Sequence, residues 1–438
     1  MKQLTVENYR CFHRKQNVPL APLTLLVGEN STGKTSILAI IRILFDSLFS
    51  YDNLNFKNPP FDLGSFDDIA YRPSEKSNST SSFEAGIDVN QGFRSHFVFK
   101  ENRTIPRAVQ IQLNDDNTWI ESYDDDFHKI QIGTPQGVWE IHFDDSNQTR
   151  KNSKLPPILG LYYKIIEALK DWSHESPENI IPINESPAFS VQDMNSILNA
   201  NYLGITSSDE RLFVCAPVRS KPQRTYDQAG WIPDPDGYFA PMFLANTASY
   251  DSELWKDLKY ELERFGTAAG MFDEIEIKRL GESGSDPFQI LVRKFYNQQK
   301  GSKQNLIDVG YGVSQVLPIL TELLLSENSY PAMLQQPEVH LHPKAQAALG
   351  SLFCEIAGQG KQLIVETHSE FILDRIRMDI RDQKTDLTPE DVIILFFERN
   401  DASVEIHPIH LDELGNVLNA PDSYGGFFME ESSRSLGF

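Results

Sequence analysis

The sequence predicts an α/β fold with a mixed β core, an antiparallel side sheet and a helical insertion, and three observations predict it. Residues 23–49, LTLLVGENSTGKTSILAIIRILFDSLF, run from a short apolar segment through a glycine-bounded loop into a repeat at helical spacing. Residues 82–145 alternate apolar and polar side chains again and again, as in RAVQIQL and GVWEIHF. From 307 to 369 the chain strings together a small-residue loop, an apolar helix, a short apolar strand, a second helix and a second strand.

Composition bounds the reading. With 438 residues and 40% hydrophobic content the chain can bury a large core. No run approaches the roughly 20 apolar residues of a membrane-spanning helix, since even ILAIIRILFDSLF carries Arg42 and Asp46. The start, MKQLTVENYR, enters a strand pattern with no apolar leader, and a cytoplasmic protein with no membrane partner is expected. Cys11, Cys215 and Cys354 form no CxxC pair and suggest no disulfide framework. A net charge of −22 opposes a surface that coats nucleic acid throughout, although a local basic groove stays open. The acidic runs at 114–116 and 124–126 lie between strand-like segments and read as solvated loops.

The loop after the first apolar strand is the sharpest motif. Gly28 to Thr35 spell G-E-N-S-T-G-K-T, the G-x-x-x-x-G-K-[ST] pattern. Leu23 to Val27 supply the strand, and Ile37, Ile41, Leu44 and Leu48 supply the helix. At such a strand-to-helix turn, backbone N–H groups and the helix N-terminus cradle phosphates. Gly28, Glu29, Asn30, Ser31, Thr32, Gly33, Lys34, Thr35 and Ser36 are therefore the nucleotide-binding candidates. Lys34 would neutralise the β and γ phosphates of ATP and Thr35 would bind Mg2+. A glycine-rich turn without a ligand is the competing reading.

The alternating stretch after it suggests antiparallel hairpins. Residues 156–205 then carry helical patterns such as ILGLYYKIIEALKDW, with no sustained heptads. In APVRSKPQRTY, Arg219, Lys221 and Arg224 form the densest basic cluster, which fits phosphate, nucleic acid or an acidic partner, or an exposed salt-bridged loop. Farther on, Gly310, Gly312, Ser314 and Gln315 open an apolar helix with a small-residue loop whose N–H groups can meet an anion. The apolar strand MLQQ then runs into PEVHLHP. His340 and His342 stand at i and i+2, which on a strand would share one face, and HPIH at 407–410 offers two more histidines. No cysteine or acid spacing completes a zinc site, so shaping of the loop between strand and helix is the preferred reading. The next strand, QLIVETHSE, ends at His368.

Taken in order, NYRCF, VGENSTGKTS, GYGVSQ, QQPEVHLHP and VETHS resemble the ABC-type P-loop NTPase head of RecF, SMC and OLD-like proteins. PEVHLHP, APVRSKPQRTY and GNVLNAPDSYGGFF look most like the OLD-like AAA ATPases of prokaryotic phage-defence loci. The resemblance implies residues 1–75 and 270–400 as the two parts of the head, 76–150 as a β side lobe, 151–269 as an insertion and 401–438 as an extension. It implies a homodimer or higher assembly in which Gly310, Gly312, Ser314 and Gln315 of one subunit close over the γ-phosphate held by another. His368 would be the switch histidine, and Arg10 would reach the same nucleotide.

The resemblance also places Gln335 and Gln336 where such heads carry an acid for the magnesium water and a second acid for the attacking water. Glutamine can orient a water but accepts no proton as a base and offers magnesium no full charge. Slow hydrolysis is expected, with Glu338 as a substitute source of charge. The residues after His368 are too few for the nuclease domain of full-length OLD proteins, so the effector, a nuclease or toxin, is expected on a separate chain. The competing functions are a RecF-like clamp on duplex DNA and a scaffold that uses ATP only as structural glue.

Overall fold

The computed structural model describes residues 1–49, 55–73, 79–89, 94–102, 105–114, 118–122, 129–142, 180–183, 212–227, 234–297, 299–325, 331–400 and 403–425. The helical pattern at 158–172, the acidic run at 124–126 and residues 426–438 lie outside them. By internal contacts the chain forms two units. One comprises Met1–Leu20, Asn30–Arg211 and Phe397–Ile406, the other Ala21–Glu29, Leu212–Phe396 and His407–Phe438.

The first unit carries a nine-stranded sheet in the order β10-β9-β8-β7-β6-β5-β4-β1-β2. Its strands are β1 (Gln3–Glu7), β2 (Gln16–Pro19), β4 (Ser82–Asp88), β5 (Arg94–Asn102), β6 (Ile105–Asn114), β7 (Trp119–Ser122), β8 (Lys129–Thr134), β9 (Gly137–His142) and β10 (Ile180–Ile183). Each neighbouring pair is antiparallel, as the alternation predicts. Period-two side chains put Phe83, Phe97, Phe99, Ile130, Ile132, Trp139 and Ile141 inside. Phe83 and Phe99 stack with centroids 4.7 Å apart. Helix α1 (Lys34–Phe49) buries Ile37, Ile41, Leu44 and Leu48. A four-residue helix, α2 (Phe66–Ile69), completes the described helices of this unit.

The second unit is built on parallel strands. β3 (Leu23–Gly28), β11 (Phe213–Cys215), β17 (Ala332–Gln335) and β18 (Leu363–Glu366) line up as β11-β17-β18-β3 within a seven-stranded sheet. That sheet continues through β19 (Val392–Asn400), β20 (Ser403–Leu411) and β21 (Val417–Leu418). β3, β17 and β18 are buried at every position, the expected state of parallel strands covered on both faces. Helix α3 (Ala240–Tyr250), α4 (Ser252–Ala269), α5 (Tyr311–Leu325), α6 (Pro343–Gly358) and α7 (Glu370–Arg381) provide the cover. Leu25, Val27, Leu317, Phe353, Val365 and Ile372 share one apolar core. A smaller antiparallel sheet of β12 (Glu274–Arg279), β13 (Phe288–Arg293) and β16 (Gln304–Asn305) and a hairpin of β14 (Phe295–Tyr296) and β15 (Gln299–Lys300) lie in the same unit.

The register across the parallel strands positions the site. Gln335 pairs with Glu366, and Glu366 pairs with Leu26. The carboxyl ends of β17 and β18 therefore stop level with the end of β3, where Gly28 opens the glycine-bounded loop.

Candidate functional site

The loop from Gly28 to Thr35 has the backbone its sequence demands. Gly28 and Gly33 sit at φ 145° and 90°, and Ser31 at φ 62°. Such angles are tolerated by glycine and strained for most side chains. A Cβ on Gly33 would lie 2.5 Å from Cys11 Sγ and 2.8 Å from the Phe12 ring. NYRCF thus forms the wall against which the loop is moulded. The Tyr9 hydroxyl donates to the Ser36 carbonyl at 2.9 Å and the Cys11 thiol to the Thr32 carbonyl at 3.7 Å. Burial pushes the Cys11 thiol up to about 11, so it stays neutral. Thr32, Lys34 and Ser36 are buried, and α1 begins at Lys34 with the Ile37 N–H bonded to the Gly33 carbonyl at 3.0 Å. Helix-terminal N–H groups, an ammonium and the Thr35 hydroxyl are the donor and ligand set that a nucleotide with magnesium requires, so the residues fit those groups.

Two arginines bond backbone carbonyls. Arg10 donates from Nη2 to the Leu63 carbonyl at 3.0 Å. Arg399, which sequence reasoning passed over, donates from Nη2 to the Ser31 carbonyl of the loop at 2.5 Å. Nothing in the sequence around Arg399 marks it.

At the end of β17 the chain turns at once. Gln336 has φ 41° and His340 φ 67°, and Pro337 has no N–H to continue a ladder. The two histidines therefore do not share a strand face. His340 is exposed on the turn, and His342 caps α6, its Nδ1 accepting from the Lys344 N–H at 3.3 Å. Among the described residues no group of three or more His, Cys, Asp or Glu is placed to hold a metal.

Gln335 is 5% exposed and Gln336 is half-buried, with the Gln336 N–H bonded to the Glu366 carbonyl at 2.8 Å. Glu338 reaches across instead, accepting from the His368 N–H at 2.7 Å. Burial pushes the Glu338 carboxyl above its usual range; the His368 N–H and Thr367 hydroxyl pull it back, and the charge of Glu366 adds to the rise. β18 ends at Glu366, short of His368, because the Ser369 hydroxyl caps α7 by accepting from the Ile372 N–H at 3.1 Å. The same hydroxyl donates to Gln346 Oε1 at 2.6 Å, and Gln346 donates to the Leu341 carbonyl at 2.8 Å. The turns after β17 and β18 are tied together by side chains. Glu366 itself, 4% exposed, ends β18 at the level of Gln335.

The small-residue loop splits into an outer and an inner part. Gly310 is exposed, and a Cβ there would meet nothing within 4 Å. On Gly312 a Cβ would lie 2.8 Å from the His340 carbonyl, so this glycine permits the close approach of the two turns. Ser314 and Gln315 face inward, bonded to the Tyr311 carbonyl at 2.7 Å and the Ser220 carbonyl at 3.4 Å. Gly310, Gly312, His340 and His342 line one recess of about 460 Å3 with Lys294 and Tyr296. The basic cluster disperses: Arg219 is buried at 2% exposure, while Arg224 forms a two-bond pair with Asp308 at 2.5 and 2.8 Å.

Comparison with known proteins follows the same lines. The family described as "AAA domain, putative AbiEii toxin, Type IV TA system" matches residues 23–374. The chain belongs to this AAA-domain family. It is thereby a P-loop, ATP-binding protein of the AAA type. A segment of 91 residues is 36% identical to an OLD nuclease of Thermus scotoductus, a match covering 16% of this chain and 17% of that protein. Structural comparison finds an SMC head bound to the C-winged helix domain of ScpA, with 9% identity, TM-score 0.43, and 94% and 98% of the two chains covered. It also finds the SMC head domain of Thermotoga maritima, with 11% identity, TM-score 0.40, and 93% and 98% covered. No helix of the described residues is long and apolar enough to cross a membrane.

Proposed function

We propose that this protein is an ATP-operated switch in which two heads close on ATP and magnesium and thereby hold or release a partner effector, with slow hydrolysis, in anti-phage defence. One observation carries the reading: the loop keeps the residue types of a phosphate site, while the end of β17, level with the end of β3, carries the amides Gln335 and Gln336. A loop that binds phosphates with no base at the strand end favours holding ATP over turning it over. Bound magnesium would be held by the Thr35 hydroxyl and, through a water, by the Gln335 side chain, and would spread the charge of the β and γ phosphates. A scaffold that never turns ATP over is the limiting form of the same switch. With Arg219 buried and Arg224 neutralised, the DNA clamp has less to recommend it.

Closure between copies falls to the exposed Gly310 and Tyr311 and the half-buried Gly312, because Ser314 and Gln315 are buried. Gly310→Glu adds a negative side chain into open space at that surface. In light scattering with ATP and magnesium the parent should double in mass, whereas Gly310→Glu should bind ATP in calorimetry and stay monomeric. Dimers that persist in the variant would refute closure through this loop.

A further inference from the structure

We propose that a recess lined by α4, α6 and α7 docks an acidic amphipathic helix of a partner protein. All of its lining residues belong to the second unit, and the inference stands whether or not ATP joins two heads. The recess holds about 230 Å3. Small-molecule sites run to roughly 300–1,000 Å3, so this one is sized for one or two side chains of a docked segment. Its α6 side consists of Lys344, Ala347, Ala348, Ser351, Leu352 and Glu355, which share one helix face at i, i+3, i+4, i+7, i+8 and i+11. From Lys344 to Glu355 that face runs roughly 16 Å, about three turns. Phe265 and Leu352 form a buried floor, and Ala347 and Ala348 are half-buried, too small to fill the space above them. An apolar floor of this length receives the apolar stripe of a helix.

The charges around the floor select the partner. Arg264, Lys344 and Arg375 line the recess with a single carboxylate, Glu355. Arg264 is already engaged, with two bonds to Glu355 at 2.7 and 2.8 Å and one to Glu261 at 2.7 Å. Lys344 and Arg375 are not: among the described residues neither forms an ion pair, and the Arg375 Nε is buried with no hydrogen-bond partner. Gly350 brings Arg375 to this place, since a Cβ there would lie 3.0 Å from the Arg375 Cβ. A free ammonium and a free guanidinium beside an apolar floor, on a chain of net charge −22, call for carboxylates flanking an apolar stripe. Nucleic acid would meet the two cations but needs a longer basic track, and it would leave the floor uncovered.

The probe is a fluorescein-labelled helical peptide of Ala, Leu and Glu, with Leu at i, i+3, i+4 and i+7, and its counterpart with Gln for every Glu. Anisotropy with the full chain should show the acidic peptide binding roughly tenfold or more tighter than the Gln peptide, as two ion pairs allow, and weakening with salt. Lys344→Glu/Arg375→Glu should abolish that preference, and Ala348→Trp should weaken both peptides. Both variants should bind ATP in calorimetry as the parent does, which keeps this test separate from the nucleotide reading. Equal binding of the two peptides, binding of neither, or variants that bind like the parent overturn the proposal. Should one variant fail to fold by circular dichroism, the other decides by the same criterion. Tighter probe binding by the full-chain variant Glu430→Lys/Glu431→Lys would make the chain's own FFMEE segment the occupant. A nucleotide-free dimer in light scattering that Ala348→Trp dissolves would make it a second copy. Either result overturns the partner helix.

Discussion

The phosphate loop and the end of β17 were shaped by opposite constraints. In the loop, function resides in backbone N–H groups and in the conformation that aims them, so the residues are dictated by sterics: Gly33 has no room for a Cβ beside Cys11 and Phe12, and Gly28 sits at φ 145°. At the end of β17 the proposed function calls for side-chain charge, and there the chain has two amides, with the carboxylate Glu366 on the next strand at the same level. Backbone chemistry is bound to its segment of chain. A charge can be supplied from any strand that reaches the same place.

The largest effect should break the loop side of this comparison. Lys34→Ala removes the ammonium expected to meet the β and γ phosphates, and hydrogen bonds to charged groups are worth about 1.5–3 kcal/mol each. Two such bonds correspond to a loss of roughly 100-fold or more in ATP affinity, readable by calorimetry. Unchanged affinity would remove the loop from the site.

Gly33→Ala should come next. The strained backbone alone costs on the order of 1–3 kcal/mol, and the Cβ must also displace Cys11. Thermal melting and ATP binding should weaken together. If melting falls while ATP affinity holds, the loop geometry matters to folding and not to the ligand.

On the strand side, Gln336→Glu restores a group able to take a proton from the attacking water. General bases typically contribute 10²–10⁴-fold, and steady-state phosphate release at saturating ATP and magnesium should rise about tenfold or more. A rate equal to the parent's would mean that position 336 does not face the water. Gln335→Glu alone should have the smallest effect, roughly fivefold, because it offers magnesium's bound water a charge but supplies no base for the attacking water. A gain from Gln335→Glu larger than that from Gln336→Glu would show instead that the missing charge at position 335 limits the rate.

Much of the fold was legible because its signals are local. The alternation of RAVQIQL and GVWEIHF gives antiparallel strands since side chains alternate with period two, and the 3.6-residue repeat after Lys34 gives α1. The glycine-bounded loop declares its own turn. The loop between strand and helix at PEVHLHP was legible through Pro337, whereas the left-handed angles at Gln336 and His340 were not.

What the sequence by itself determined is the phosphate loop, the order of strands and helices, and the presence of amides where acids are expected. Only the tertiary structure decided that Ser314 and Gln315 turn inward, that Arg219 is buried while Arg224 pairs with Asp308, and that Arg399 holds the loop at Ser31. It alone decided that Glu366 shares a level with Gln335. These are properties of which strand lies beside which and in what register. Register is fixed by the burial of whole strand faces and by the helices that connect them, and a single strand read alone carries neither.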